Sequence, residues 1–363
     1  MKRSYYIFNS GRLRRKDNTL FFEPSVAKVE ETPAAINADE EILFDTPTGE
    51  EENAPAFDAK QKRVVPIDDV DSFSIFGEIT FNTRFLNFLS QQNIPAHIFN
   101  YYGFYAGSYY PREFLQSGFL LVKQVEHYTT PAKRIVIARK FVEGAAANML
   151  KNVRYYDNRA ADLTRQIDNM QGYVSAISAA HDIPTLMGIE GNIRQQYYSA
   201  FPAILKEQYD FEKRVKHPPD NAVNALISFG NAMVYTACLT EIYRTQLSPL
   251  ISFLHEPGER RFSLALDLAE IFKPLFADRI LFKMLNQKML TEKDFDKALN
   301  FCYLKPEGRK AFVKEFEEKM TTTIEHRKLK RKVSYRRLIR LECYKLIKHL
   351  TGDADYEPFT IWW

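Results

Sequence analysis

The chain has 363 residues, more than one compact core usually holds, so we expect two domains. Its hydrophobic content of 45% and aromatic content of 14% exclude general disorder, because they suffice for packed interiors. The net charge of +4 understates how basic most of the chain is. Between Val29 and Ala59 there are ten acidic residues and no Lys or Arg, and removing those ten negative charges leaves +14 for the remainder. That excess predicts attraction to polyanions, nucleic acid first.

The same composition predicts a soluble, cytoplasmic protein. Cys238, Cys302 and Cys343 form no C-x-x-C pair, which argues against a zinc ribbon or a disulfide framework and fits a reducing compartment. The N-terminus lacks an apolar stretch long enough for a signal peptide. Nowhere do about 18 apolar residues run without interruption, so we predict no membrane span.

The N-terminal part of the chain is predicted to be a small, mostly β domain, residues 1–108, with one helix. Aromatic and β-branched runs bounded by turn residues are the strand signal, and Phe81, Phe85 and Leu89 have helical spacing. The predicted elements are, in chain order, a hairpin over residues 4–24, an acidic loop insert at about 27–62, strands at 63–67 and 72–76, a helix at 80–91 and a strand at 96–99.

From Arg112 onward the apolar spacing becomes helical, and Gly and Pro become scarce inside segments. We predict an all-α catalytic domain at 109–350 and a C-terminal tail at 351–363, so the fold class is α+β. The predicted helices include 163–180, 191–208, 221–245, 279–285 and 292–300. Both tryptophans, Trp362 and Trp363, lie in the tail, which is therefore expected to dock on the body of the protein or on a partner.

A further helix is predicted from Thr323 to His349, with ten basic residues against two acidic ones. This excess favours contact with phosphates, and Arg336, Arg337 and Arg340 are its candidate DNA-binding residues. The alternative is an ordinary solvated helix face.

A candidate metal site lies between His255 and Lys273. A histidine in a loop broken by Pro257 and Gly258 precedes a helical pattern that carries Asp267 and Glu270. Asp267 flanks the apolar stripe of this predicted helix, while Glu270 and Lys273 lie further toward its open face; the stripe consists of Leu264, Leu268, Ile271 and Leu275. Residues three apart share a helix face, so both carboxylates can approach one point. Carboxylate oxygens and an imidazole nitrogen suit a divalent cation of the Mg/Mn class. Taken alone, the same residues also fit ordinary surface chemistry.

Glu190 is the candidate distant partner of that site. It lies between Gly188 and Gly191 at a predicted helix start, where glycines let the backbone and a ligand approach closely. Arg194, one turn later, can neutralise Glu190 or reach a phosphate. The alternative is a glutamate that only complements the helix dipole.

Two segments carry a family resemblance. Leu186-Met187-Gly188-Ile189-Glu190-Gly191, together with His255 and Leu266-Asp267-Leu268-Ala269-Glu270-Ile271-Phe272-Lys273-Pro274, resembles the signature of the CRISPR-associated spacer-acquisition integrase and endonuclease family. Gly11–Arg15 and Phe76–Thr80 resemble its N-terminal β domain, so the similarity covers nearly the whole chain. The sequence of residues 76–111 is most similar to that of family members from type I, I-B-like systems.

The resemblance implies a metal site and a DNA surface. Metal ligands are implied at Glu190, His255 and Glu270, for Mg²⁺ or Mn²⁺, with Asp267 as the additional catalytic acid. Many members have Asp where Glu270 stands, so the ligand type is kept with a longer reach. Lys273 occupies the basic flanking position and is, with Arg194, a candidate DNA-binding residue.

The implied function is a metal-dependent DNA endonuclease and integrase. It would insert short foreign DNA fragments as spacers into a CRISPR array by 3′-OH attack on a phosphodiester. The resemblance also implies a homodimer formed by the β domains, and a small ferredoxin-fold CRISPR-associated partner that bridges two dimers. Two alternatives stay open: a non-catalytic nucleic-acid-binding scaffold, and a structure-specific DNA repair nuclease.

Overall fold

A computed structural model of the chain divides into two compact units. The first comprises Met1–Phe114 and Lys305–Val313, and the second comprises Leu115–Leu304 and Lys314–Trp363. The structure describes all residues except 1, 18, 27–56, 113, 158, 160–161, 206–208, 210, 217, 259–261 and 299–300. Most of the predicted acidic insert at 27–62 therefore lies outside the described residues.

In its described residues, the first unit contains two four-stranded sheets and the helix α1 (Thr83–Gln92). Its elements are β1 (Arg3–Ile7), β2 (Gly11–Lys16), β3 (Thr19–Pro24), β4 (Arg63–Val65), β5 (Val70–Ile75), β6 (Ile79–Thr80), α1 (Thr83–Gln92), β7 (Ala96–Phe99) and β8 (Tyr105–Tyr109). One sheet has the order β1-β5-β7-β8 and the other β4-β3-β2-β6. Asn82 caps α1 by accepting from the N–H of Phe85, and the helix buries Phe85, Phe88 and Leu89.

The predicted hairpin at 4–24 is correct in place but wrong in pairing. The strand after the turn is β3, but its antiparallel partner is β2, with Leu13 opposite Phe22. The aromatic strand β1 instead lies parallel to β5 in the other sheet, with Tyr5 opposite Phe73. Gly11–Lys16 has the alternation of apolar and polar residues that is typical of a strand, as at Leu13 and Arg14. The many basic residues of this segment made that pattern hard to recognise in the sequence.

The second unit is mainly helical. Its helices are α2 (Gly118–Thr129), α3 (Pro131–Asp157), α4 (Thr164–Ala176), α5 (Ile183–Ser199), α6 (Phe201–Ile204), α7 (Ala222–Tyr243), α8 (Ser263–Lys273), α9 (Arg279–Asn286) and α11 (Tyr335–Thr351); α10 (Pro306–Thr321) crosses the boundary between the units. The predicted apolar stripe of α8 is confirmed, because Leu264, Leu268 and Ile271 are fully buried. Helix α8 packs against α3 and α7.

Helix α7 is the central helix of this unit. By length and composition it could cross a membrane, but 72% of its apolar 18-residue stretch is buried inside the protein. Burial of that kind is typical of a core helix, so α7 is weak evidence for a membrane span.

The second unit is not all-α, contrary to the prediction. It contains two hairpins, β9 (Phe295–Ala298) with β10 (Phe301–Leu304), and β11 (Thr323–His326) with β12 (Arg331–Ser334). The predicted helix at 323–349 therefore begins only at Tyr335, where the Ser334 hydroxyl accepts from the N–H of Arg337. Short runs that alternate apolar and polar residues, such as Thr323–His326, follow the strand period rather than the helical one.

The C-terminal tail docks on the second unit, as predicted. Asn148 in α3 is buried; its side-chain amide donates to the carbonyl of Phe359 at 3.2 Å, and its Oδ1 accepts from the N–H of Ile361 at 2.8 Å. Glu342 in α11 accepts from the N–H of Phe359 at 2.9 Å. These buried side chains make the hydrogen bonds that water would otherwise make to the tail backbone, and so they fix the tail.

Candidate active site

Asp267 organises the loop that presents His255. Its carboxylate is fully buried in α8. Oδ2 accepts the backbone N–H groups of Phe253 and Leu254 at 2.7 and 2.9 Å, and Oδ1 accepts the backbone N–H of His255 at 3.0 Å. Oδ1 also lies 2.8 Å from Nδ1 of His255. The loop before α8 is therefore folded around a single carboxylate.

The same contact determines the tautomer of His255. An ionised carboxylate can only accept, so Nδ1 of His255 must carry the proton that it shares with Asp267. A neutral ring in this orientation keeps its lone pair on Nε2, and the side chain is 28% exposed. A carboxylate that orients a histidine in this way is a common support for a metal ligand.

Glu190 lies in the middle of α5, which begins at Ile183 with Asp182 as its cap. The helix dipole acts within about the first turn, so it does not account for Glu190. A Cβ atom added at Gly188 or Gly191 would meet nothing within 4 Å. The helix surface on both sides of Glu190 is therefore open to close approach.

Arg194 joins Glu190 to Glu270. Its Nε donates to Oε1 of Glu190, and its terminal nitrogen donates to Oε2 of Glu270. Lys273 donates to the other oxygen of Glu270 at 2.6 Å. The sequence pattern had Glu270 and Lys273 on the open face of α8, but these ion pairs bury Glu270 to 7% exposure.

The surrounding positive charges control the ionisation of this cluster. Burial opposes ionisation of Glu190, but Arg194, Lys273 and His255 outweigh burial and hold its pKa below the usual value. Burial lowers the pKa of the Lys273 ammonium to about 7, and the adjacent Arg194 adds to that effect. The cluster therefore favours negative charge on Glu190.

Two of the three candidate metal ligands, Glu190 and Glu270, meet at Arg194, whereas His255 is held by Asp267. Among the described residues, no three His, Cys, Asp or Glu side chains are close enough to hold a metal ion. The guanidinium of Arg194 contacts both glutamates, and the oxygens of Asp267 are occupied by the loop that carries His255.

Two basic residues near this cluster, Arg214 and Lys216, were not among the residues predicted from the sequence. Arg214 donates to Ser228 in α7 at 2.9 Å. The ammonium of Lys216 is partly desolvated, and Arg194, Lys273 and Arg214 repel its charge, so its pKa is lowered. Both lie in the basic run Lys213-Arg214-Val215-Lys216, which was the available signal.

A polar network lies immediately behind the site. Pro274–Asp278 forms a π-helical turn between α8 and α9. In that turn Asp278 accepts from the hydroxyl of Tyr197 at 2.9 Å, and the carbonyl of Pro274 accepts from Asn152 at 2.8 Å. Because Pro274 lacks an N–H, the regular helical hydrogen bond is lost there and the wider turn is accommodated.

The three candidate DNA-binding arginines of α11 lie away from these acids in sequence. Arg336 donates to both oxygens of Glu317 at 2.7 and 2.8 Å, and Arg340 donates to Glu241 at 2.5 Å. The guanidinium of Arg337 lies 5.8 Å from the ring centre of Tyr344. Arg336 and Arg340 therefore hold α11 in place within the second unit.

The family model described as CRISPR associated protein Cas1 matches residues 48–318. The chain belongs to the Cas1 family. It is 47% identical over 363 residues to a CRISPR-associated endonuclease Cas1 from Fusobacterium nucleatum subsp. nucleatum, covering 100% of this chain and 98% of that protein. It is 48% identical over 363 residues to a CRISPR-associated endonuclease Cas1 from Moorella thermoacetica, covering 99% of this chain and 100% of that protein.

Solved structures agree with this Cas1 assignment. A CAS1 protein from Thermotoga maritima has a TM-score of 0.80 and 38% identity, with 97% of this chain and 98% of that chain covered. A casposase bound to integration product has a TM-score of 0.79 at 19% identity, covering 99% of this chain and 93% of that one, which shows a common fold. The predicted family is confirmed, and with it the mixed fold of N-terminal strands and a larger helical region.

Proposed function

We propose that this Cas1 chain is a metal-dependent DNA endonuclease and integrase that inserts short DNA fragments into a CRISPR array. The observation that carries the proposal is the convergence of Glu190 and Glu270 on one cationic group, Arg194, together with His255, whose Nδ1 is held by Asp267. Relatives of 47% and 48% identity, both CRISPR-associated endonucleases Cas1 that match over nearly their whole length, support the nuclease class.

The residues of the site fit a divalent cation in their chemistry. Two carboxylates that share a guanidinium can share a metal ion instead, since both cations satisfy the same oxygens. The neutral imidazole of His255 supplies a nitrogen donor through Nε2. Glu190, His255 and Glu270 would hold Mg²⁺ or Mn²⁺, and when bound the ion would supply Lewis-acid stabilisation at a scissile phosphate.

The remaining residues of the site have separate roles in this proposal. Asp267 is a positioning residue, because it holds the loop and the tautomer of His255 while its own oxygens are already bonded. Arg194 and Lys273 provide positive charge beside the acids, where a phosphate of the substrate would lie. Displacement at phosphorus exchanges one P–O bond for another, so a 3′-OH nucleophile joins strands and water nicks them.

The wider assembly is also a proposal. We infer that the chain acts in the cytoplasm as a homodimer through its first unit, with a small ferredoxin-fold partner between two dimers. Two solved structures of Cas1 in Cas6-RT-Cas1–Cas2 complexes cover 99% of this chain, at 14–15% identity. Size-exclusion chromatography with light scattering, with and without the partner, measures dimer formation and partner binding. A monomer that does not bind the partner would contradict both inferences.

A strand-transfer assay tests the catalytic proposal. Purified protein, its small partner, Mn²⁺, a short duplex and a plasmid carrying the CRISPR repeat should yield joined product. Glu190→Gln and His255→Ala should reduce joining and nicking at least about a hundredfold, since a lost ligand removes stabilisation made in the transition state. Duplex binding should persist in both variants.

The outcomes separate the candidate functions. Full activity in either variant would refute the site assignment. Duplex binding without joining or nicking, in the wild type as in the variants, would favour the non-catalytic scaffold. Cleavage of branched DNA without the partner, and without joining, would favour a repair nuclease.

A further inference from the structure

Strands β11 and β12 and their connection, residues 323–334, form a hairpin that we call the basic hairpin. The turn and the start of the second strand are formed by Arg327-Lys328-Leu329-Lys330-Arg331-Lys332. This run has five cations and no carboxylate, and all six residues are exposed. Within the described part of the chain, no carboxylate pairs with the lysines of this run or with Arg331. The run is therefore a dense positive charge, and Glu325, opposite Lys332 in the ladder, is the one carboxylate of residues 323–334.

The neighbouring helix α11 differs in this respect. Arg336, Arg340 and Lys345 are paired with Glu317, Glu241 and Glu342 at 2.7, 2.5 and 2.5 Å. Those pairs are internal to the second unit, so forming a phosphate contact there would first break an ion pair. Three of the five cations of α11 are thus engaged in internal ion pairs, unlike the lysines of the basic hairpin.

The basic hairpin is a defined structure. Ile324 is opposite Val333 in its ladder, and Lys330 adopts φ 49°, the left-handed conformation that closes the turn. Nδ1 of His326 accepts the backbone N–H groups of Lys328 and Leu329, each at 3.2 Å. The turn is thus organised before any ligand arrives.

The C-terminal tail contacts the turn end of the hairpin. Arg327 donates to the carbonyl of Trp362 at 3.0 Å, and the His326 and Trp362 rings lie 5.7 Å apart, edge to face. The tail is itself held by Asn148 and Glu342. This gives Trp362 a physical role, because it ties the hairpin to the helical core.

We propose that the basic hairpin docks in a groove of duplex DNA, with Lys328, Lys330 and Lys332 on the flanking phosphates. The major groove of B-DNA admits a two-stranded ribbon, whereas the deep, narrow groove of duplex RNA does not. Phosphate contacts of this kind position a protein on the duplex without reading its sequence. The inference rests on the proposed action on DNA and adds the surface that holds the substrate.

Salt-dependent binding tests the proposal. The hairpin variant carries Lys328→Gln, Lys330→Asn and Lys332→Gln, with Asn chosen because it tolerates the left-handed conformation. The matched control carries Lys288→Asn, Lys297→Gln and Lys314→Gln; all three lysines are exposed, and Lys288 also has φ 55°. Both variants lose three charges, and circular dichroism and thermal unfolding verify their folding.

Anisotropy of a labelled random-sequence duplex at several KCl concentrations gives the result. For the hairpin variant, the slope of log K against log salt should become shallower by about 0.9 for each lysine that contacts a phosphate. The control should keep the wild-type slope. A wild-type slope in the hairpin variant overturns the proposal, as does a change seen with duplex RNA and not with duplex DNA.

The same measurement separates this inference from the proposed function. If the slope changes in the hairpin variant while wild-type protein neither joins nor nicks DNA, the docking surface stands and the catalytic proposal fails. If Glu190→Gln abolishes joining while the hairpin variant binds and joins as wild type, the catalytic proposal stands and the docking surface fails.

Discussion

The carboxylate of Asp267 accepts the Nδ1–H of His255 at 2.8 Å and, in the same loop, three backbone N–H groups. One acid thus sets the backbone of residues 253–255 and the tautomer of the histidine. The relationship explains why an acid beside Glu270 can be essential without contacting a metal: its oxygens are already bonded, and it acts through His255.

The first prediction concerns Asp267→Asn. The amide group of asparagine would turn one N–H donor toward backbone N–H donors, so the free energy of unfolding should fall by about 2–3 kcal/mol. Since the tautomer of His255 is no longer imposed, affinity for Mn²⁺ should fall by about 10–100-fold. Urea unfolding and calorimetric Mn²⁺ titration measure the two effects, and unchanged Mn²⁺ affinity would refute the positioning role.

The second prediction concerns Arg194, the cation that Glu190 and Glu270 share. In Arg194→Met the two acids lose their common partner, and the free energy of unfolding without metal should fall by about 3 kcal/mol. Mn²⁺ should then raise the melting temperature of the variant more than that of the wild type, because the ion replaces a missing charge. Equal shifts in the two proteins would show that metal and guanidinium do not share a position.

The third prediction concerns Gly191, whose added Cβ would meet open space. Gly191→Ala should raise the free energy of unfolding by up to about 1 kcal/mol, as Ala does in a helix interior. Gly172→Ala in α4, equally unobstructed, is the matched control. If DNA must approach α5 closely, strand transfer should fall only in the Gly191 variant; equal activity in both would exclude that close approach.

The fourth prediction concerns pH and the first unit. His97 is 1% exposed, and burial lowers the pKa of its imidazole to about 3, from 6.5 in the unfolded chain. The unfolded state therefore binds the proton more readily, and stability is lost as pH falls from 6.5 toward 3. Between pH 7.5 and 5 the loss should be about 2 kcal/mol.

Two variants check the pH prediction. His97→Gln keeps a polar partner for Ser108, which lies 2.8 Å from Nδ1 of His97, but removes the titration, so its unfolding free energy should depend less on pH. His181→Gln, at an exposed position, should retain the wild-type dependence. The same slope in all three proteins would assign the acid sensitivity to other groups.

Helical spacing and local motifs were enough to predict part of the fold and the site from sequence. The stripe of Leu264, Leu268 and Ile271 identified α8 and its buried face, because side-chain spacing along one helix is a local property. Local rules failed where a short segment took its structure from a partner strand, as at Thr323–His326, which pairs with residues 331–334.

The sequence by itself indicated a two-part α+β chain and its basic character, and it offered Glu190, Asp267, Glu270 and His255 as candidate site residues. Only the tertiary structure decided which acid holds the histidine, which acids share Arg194, and which basic residues are engaged in internal ion pairs. The reason is that a charged group acts through its nearest partners. The partners of Arg194 and Arg340, Glu270 and Glu241, are distant in sequence and meet only when the helices pack.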